Sequence, residues 1–292
     1  MPHTFSLGNA AGTCRTVEGV AKLIRSAVDT VTLGSFTLTE KEGNPGTNYY
    51  RDARGTSINA LGLPNKGLGP YHLTALQAFV GLCHGNQKQI SVSITSLDLI
   101  AGETAQLASI CIRAGLDHIE FDASCSNVWI GGKQKRILSF DLQALESKLD
   151  VLVRLRRMSV KPFGIRLKLS PYSDPVLLKE VASLIFQCGG PHITLVLSNT
   201  FPNALKFIDS DLPDFRYAIP FGKHYGGLGG DAIRAIALGQ VAQFRDALPD
   251  NEILCVGGIS GGRHIAESLR VGADGVQVGT AYYDCEDPRI FS

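Results

Sequence analysis

The chain has 292 residues, a formal net charge of +1 and 19% charged residues. A balance this close to neutral supplies neither a basic field for nucleic acid nor an acidic tail, so the expected ligand is a small molecule. No signal peptide follows Met1-Pro2-His3 and no apolar run approaches the roughly 20 residues that span a bilayer, so a soluble, cytoplasmic chain without membrane contact is expected.

In chain order, amphipathic segments alternate with β-branched, apolar runs. A helix is predicted over Val17 to Ala27 and a first strand over Thr30-Val31-Thr32-Leu33. Helices over Tyr71 to Cys83, Glu103 to Ala114, Leu142 to Met158 and Pro175 to Gln187 lead to strands over Ile90 to Ile94, His118 to Asp122, Phe163 to Leu169 and Ile193 to Leu197. Asp231 to Ala247 and Gly262 to Val271 lead in the same way to Glu252 to Val256 and Gly275 to Val278. The helical spacing is near 3.6 residues throughout. An eighth strand is expected around Phe215 to Ile219 or inside an insertion. Alternation without a composition break predicts a single domain over residues 1–292, a parallel sheet and, at this length, a closed (β/α)8 TIM barrel. An open doubly wound sheet is the alternative, but no G-x-G-x-x-G follows the first strand and Gly226 to Gly230 lies far downstream. The chain starts shortly before its first helix and stops where a last one would begin. The barrel is therefore expected to have an abbreviated N-terminus and a missing or truncated last helix, with a partner chain covering the flank.

Three features carry chemistry. Gly257-Gly258 and Gly279-Thr280 each end a short apolar strand. A phosphate monoester needs backbone N–H donors with no side chain in the way, and the last two strand ends of a barrel are where such a group sits. Strand-to-helix loops also favour glycine in general, but two such ends separated by one helical stretch favour the phosphate. The third feature is Ser124-Cys125-Ser126-Asn127, at the end of the strand that begins near His118. There Cys125 can act as a base or nucleophile, on a loop hinged at Gly131-Gly132 that suits a lid. The plainer reading is a small apolar residue under the rim, which the polar neighbours weaken. The remaining cysteines among the seven have no paired metal spacing; Cys111, Cys188 and Cys255 read as buried free thiols, and no metal site is expected.

In order and spacing, Glu42-Gly43-Asn44-Pro45, Ser57 to Gly67, Ser124 to Asn127, Lys168 to Tyr172, Gly226 to Gly230 and the two terminal glycine ends resemble the dihydroorotate dehydrogenases, and in particular their soluble, homodimeric class with a cysteine base. The resemblance runs from about Asn9 to Phe291. It implies a barrel that binds FMN and oxidises dihydroorotate to orotate. Gly229, Gly230, Gly257, Gly258, Gly279 and Thr280 would meet the phosphate and ribityl chain. Ala10, Ala11 and Gly12 would lie along the flavin ring, and Lys168 at its electron-rich edge. Cys125 would remove a proton while the neighbouring carbon passes hydride to the flavin; a free thiol titrates near about 8.5, so the lid must polarise it. Asn59 and Asn127 would bind the pyrimidine amide edge, and the backbone of Leu61, Gly62 and Leu63 the carboxylate. The class also implies a homodimer and fumarate as the acceptor that reoxidises the flavin.

The sequence departs from that pattern at the substrate end. Gly34 stands where the family has a lysine, and Asp122 where it has an asparagine able to donate to a carbonyl. Ser126 replaces a proline. Leu197-Ser198-Asn199 replaces an asparagine-serine pair, so Ser198 matches and the asparagine is lost unless Asn199 takes its place. These changes disfavour an anion. The alternatives are therefore a divergent flavoprotein acting on a less anionic dihydropyrimidine, and a non-catalytic FMN-binding or scaffold barrel. Reduction of uracil within RNA is a third reading, against which the absence of a basic excess counts.

Overall fold

The computed structural model describes residues 5–69, 72–96, 101–130, 132–208, 215–220, 222–283 and 287–291. Eight parallel strands close into a barrel in sequential order: β1 (Ser6–Asn9), β2 (Thr30–Phe36), β3 (Gln89–Ile94), β4 (His118–Asp122), β5 (Gly164–Leu169), β6 (Ile193–Leu197), β7 (Ile253–Val256) and β8 (Gly275–Val278). The helices that follow them are α1 (Val17–Leu23), α2 (Leu73–Gly85), α3 (Gly102–Ala114), α4 (Leu142–Met158), α5 (Pro175–Cys188), α6 (Arg234–Ala247), α7 (Gly262–Arg270) and α8 (Thr280–Tyr283). Local chemistry sets several of their starts. Thr16 accepts from Gly19 N at 3.1 Å, Asp141 from Ala144 N at 3.1 Å and Asp174 from Val176 N at 2.8 Å, each satisfying an otherwise unpaired first-turn donor.

The period-two alternation of a strand divides the core in two. Ile119, Phe121, Ile165, Leu167, Ile193, Leu195, Leu197 and Cys255 belong to the main apolar cluster that the helices cover. The alternate positions supply the barrel interior: Glu120, Arg166, Lys168 and Gln277 are all buried, and Gln277 Nε2 donates to Glu120 at 2.8 Å. A separate cluster of Ala10, Val196, Leu254 and Val256 shares that interior.

The first barrel strand is Ser6–Asn9, which the sequence reading does not assign. Phe215 to Ile219 is no barrel strand: among the described residues its only ladder contact is an isolated bridge from Tyr217 to Phe207, and Ala218 and Ile219 are buried against Ile58 and Ala60 under a separate sheet. The short β1 makes a single register pair with β2, Gly8 opposite Thr30. Side chains complete that seam. Asn9 Nδ2 donates to Thr32 O and Asn9 Oδ1 accepts from Thr32 N, both at 2.8 Å, and Asp29 accepts from Leu7 N at 2.8 Å. Tyr71, the expected start of the second helix, lies outside the described residues, as does Gly131 of the lid hinge. At the C-terminus the last helix is the four-residue α8, followed by a 3-10 turn at Pro288–Phe291.

Insertions after β2 and β6 build a four-stranded antiparallel rim sheet in the order Phe201–Ala204, Gly226–Gly230, Thr56–Asn59, Tyr49–Arg51. Both insertions leave the carboxyl ends of barrel strands, so the sheet stands over that end. A two-stranded hairpin, Trp129–Ile130 with Lys133–Gln134, follows β4 at the same end.

Candidate active site

Under the rim sheet lies a cavity of about 350 Å3 that is lined by every site residue the sequence reading singles out. One strand, Thr56–Asn59, spans it. At one end Ser57 Oγ lies 2.9 Å from Thr280 Oγ1; at the other Asn127 Nδ2 donates to Asn59 Oδ1 at 3.1 Å.

The Thr280 end is made of glycine backbone. Gly229, Gly230, Gly257, Gly258 and Gly279 line it, with Ala10, Ala11 and Gly12 on the adjoining wall. Gly12 N donates to Gly34 O at 2.6 Å and Ala10 N to Val278 O at 2.8 Å, so the first barrel loop is held against the last strand. Gly257 has φ +135° and Gly258 φ +68°, and a Cβ on Gly257 would stand 2.9 Å from Ala237 Cβ. Among the described residues the amides of Gly257, Gly258 and Gly279 donate no hydrogen bond. Three unpaired donors at adjacent strand ends, with no side chain over them, fit a phosphate group.

At the Asn59 end Cys125, Asp122, Ser198 and Asn199 face the cavity with Asn127 and Lys168. The Cys125 thiol is pushed up to about 12, first by burial and then by the Asp122 carboxylate; the Asn127 backbone amide, Lys168 and Lys135 pull the other way. The loop after β4 is tied to its neighbours from two sides: Asn44 Nδ2 donates to Asn127 O at 2.9 Å, and Gln134 Nε2, which also donates to Ser126 O within the loop, donates to Asn203 Oδ1 at 2.8 Å. Lys168 stands 3.9 Å from Glu120 in the barrel interior. Leu61, Gly62 and Leu63 form the facing wall. Among the described residues none of their three amides donates a hydrogen bond, and Gly62 and Leu63 have φ +74° and +60°. Successive free amides in such a turn make an anion nest.

The departures read from the sequence have structural consequences. Asp122 is fixed by donors: Ser124 N at 2.9 Å and Ser124 Oγ at 2.5 Å meet Oδ1, and Ser35 Oγ lies 3.3 Å from Oδ2. Asn199 Nδ2 donates to Ser124 Oγ at 2.8 Å, which brings Asn199 into that network, whereas Leu197 is fully buried among the helices. Among the described residues Ser198 Oγ is buried without a hydrogen-bond partner. Gly34 has φ +104°, and a Cβ there would meet Ser93 O at 2.5 Å. The backbone at this position therefore has no room for the family's lysine without moving.

The sequence reading misses the cavity's outer wall. Arg15, Tyr49, Arg51, Arg54 and Tyr283 line it, with the Tyr49 and Tyr283 ring centroids 4.8 Å apart. Register sets Arg51 opposite Ser57, towards the glycine end. Burial lowers the Arg15 pKa from its ordinary value, with Tyr283 opposing. Only Arg15, close behind Ala10-Ala11-Gly12, carries a local signal. Cys188, read as buried, is half-buried at the end of α5. Among the described residues no three His, Cys, Asp or Glu side chains are grouped to hold a metal ion, and no helix is long and apolar enough to cross a membrane.

Comparison with known proteins agrees over the whole length. The dihydroorotate dehydrogenase family profile matches residues 3–292. Relatives named "Putative dihydroorotate dehydrogenase A (fumarate)" include one from Streptococcus uberis, 31% identical over 288 residues, which cover 98% of this chain and 86% of that protein. Those from Streptococcus agalactiae and Streptococcus pyogenes are 32% identical over 290 and 287 residues, covering 98% of this chain and 86% and 85% of the relatives. The chain belongs to the dihydroorotate dehydrogenase family and is an oxidoreductase.

Proposed function

We propose that the protein is a cytoplasmic enzyme that oxidises dihydroorotate to orotate, with FMN held at the glycine end of the cavity and Cys125 as the base. The reading rests on one observation: two sets of unpaired backbone amides, at Gly257, Gly258 and Gly279 and at Leu61 to Leu63, stand at opposite ends of a cavity that also holds a thiol. FMN held there would supply the hydride acceptor for the substrate. Cys125, as thiolate, takes the proton from the neighbouring carbon. Asn59 and Asn127 can donate and accept along the amide edge of the ring, and the Leu61 to Leu63 nest holds the carboxylate without a cation. Lys168 contributes positive charge from below, and the tied lid keeps water from the reacting carbons.

Anaerobic titration tests this reading. FMN-loaded protein should bleach with dihydroorotate and regain colour with fumarate; flavin that stays oxidised refutes it. The ring of donors around Asp122 and the crowding at Gly34 favour a second reading, a less anionic dihydropyrimidine. Bleaching by dihydrouracil and not by dihydroorotate would select it. Under the leading reading Asp122→Asn removes a negative charge from the ring end and should tighten orotate binding about tenfold.

The protein is also proposed to be a homodimer. Phe207, Phe215 and Tyr217 are exposed at 40%, 67% and 41%, with Phe215 edge-on to Phe207 at 5.6 Å and Tyr217 stacked on it at 5.1 Å, an apolar aromatic patch of the kind a second copy covers. Light scattering should give twice the chain mass, and a monomer for Phe215→Asp.

A further inference from the structure

The Asn59 end of the cavity is short of positive charge. Of the charged side chains that line the cavity, Arg15, Arg51 and Arg54 stand on the outer wall and Asp231 follows Gly230 at the glycine end, which leaves Asp122 and Lys168. These two are register partners at the ends of β4 and β5. Lys168 also stands 3.9 Å from the buried Glu120 carboxylate, so one cation is shared between two carboxylates. The crowding of Gly34 against Ser93 O denies β2 a second cation there.

The hydrogen-bond inventory is lopsided in the same sense. Asp122 Oδ1 is occupied by Ser124 N and Ser124 Oγ. Oδ2 has, among the described residues, only Ser35 Oγ at 3.3 Å, and that hydroxyl also lies 2.8 Å from Ser93 Oγ. Oδ2 therefore keeps acceptor capacity for a ligand donor. The amide donors nearby are engaged: Asn127 Nδ2 with Asn59 O and Oδ1 at 2.9 and 3.1 Å, and Asn199 Nδ2 with Ser124 Oγ at 2.8 Å. Asn59 Nδ2, whose contact with Gly227 O is 3.5 Å, is left to meet a carbonyl.

We infer that the ring this cavity selects carries an exocyclic amino group towards Asp122 and one carbonyl towards Asn59. The ligand class is an aminopyrimidine carboxylate, or its dihydro form, with its carboxylate on the Leu61 to Leu63 amides. The inference rests on the cavity being a pyrimidine site, as proposed above, and goes beyond both substrate readings, which leave the donors of the ring open. A ring carbonyl against Asp122 would set two acceptors face to face with no proton between them, a buried mismatch that costs affinity. An amino group of the same size turns that repulsion into a charge-assisted hydrogen bond.

The test is calorimetric titration of the full-length protein, FMN-loaded and flavin-free, with orotate and with the two isomers in which one ring carbonyl is replaced by an amino group, cytosine-6-carboxylate and isocytosine-6-carboxylate. At least one isomer should bind about tenfold more tightly than orotate. In Asp122→Asn the amide can turn either its oxygen or its nitrogen to the ligand, and the preference should collapse to about threefold or less. Orotate that binds as tightly as both isomers overturns the inference, as does a preference that Asp122→Asn leaves unchanged. The wild-type comparison decides by itself if the variant does not fold. Calorimetry needs no turnover, so the two readings fail separately. Protein that prefers an amino isomer but bleaches with no dihydropyrimidine sinks the proposed oxidation, and protein that oxidises dihydroorotate and prefers orotate sinks this inference.

Discussion

To serve as the proposed base, Cys125 has to lose a proton before it can accept one from substrate. In this cavity burial and the neighbouring Asp122 both oppose that loss, holding the thiol at about 12. The rate-supporting form is the thiolate, so turnover should climb with pH from about 7 to about 10, beyond the range in which a free thiol levels off near about 8.5. Asp122→Asn removes the second of the two causes and should move that ascending limb to lower pH. Cys125→Ala should lower kcat at least about 100-fold while FMN binding is unchanged, because the thiol lies at the far end of the cavity from the glycine amides. Equal turnover in Cys125→Ala would dismiss the thiol as base. Cys125 was legible from its type at a strand end, whereas Asn59 and Asn127 were singled out only by the resemblance; the fold brings all three to one cavity. The sequence also exposed Gly34 as a departure, but the positive φ there and the nearness of Ser93 O belong to the three-dimensional path of β2, so the incompatibility with lysine could not be read from the letters.

The elements themselves were legible where they are long and regular. Strands β4, β6 and β8 and helix α4 have the expected bounds because each has an uninterrupted periodic pattern with clear stops. The strand Ser6–Asn9 escaped because four residues, two of them polar and one glycine, carry too little pattern; its place is set by pairing with β8 and by the Asn9 side chain. Phe215 to Ile219 has the apolar character of a strand for another reason, since Ala218 and Ile219 fill the satellite core beneath the rim sheet. Gly226 to Gly230, five residues of which four are glycine, became a strand because it runs between two partners; a Cβ at Gly226 would lie 2.6 Å from Asn59 O. The β1–β2 seam is the most exposed dependence of the barrel on one side chain. Asn9→Ala leaves Thr32 N and O unpaired in a buried place and should cost about 2–4 kcal/mol, measured as a drop in the urea midpoint. Because the loop Ala10 to Gly12 continues from that seam into the cavity, the same variant should also lose bound flavin.

For the molecule as a whole, charge burial predicts acid sensitivity. His118 is held neutral, its pKa lowered from 6.5 to about 3 by burial and then by Arg166, and among the described residues its Nδ1 is buried without a partner. A folded-state value below the unfolded one means that the unfolded chain takes up a proton the folded chain refuses. Stability is therefore full above about 6.5 and is lost as pH falls from there towards about 3. Urea unfolding at about pH 7 and about pH 5 should show that loss, and His118→Gln should flatten it; an identical pH dependence in the variant would remove His118 from the explanation.

At this scale the cavity joins strand ends, rim sheet and lid into one site, and its identity as a place for a flavin mononucleotide turns on the phosphate end. The most direct measurement is a fluorescence titration of flavin-free protein with FMN and with riboflavin, which differ only in the phosphate. Amides of Gly257, Gly258 and Gly279 that grip a dianion predict FMN binding at least about 100-fold tighter than riboflavin, some 3 kcal/mol. Equal affinities, or no binding of either, would contradict the account.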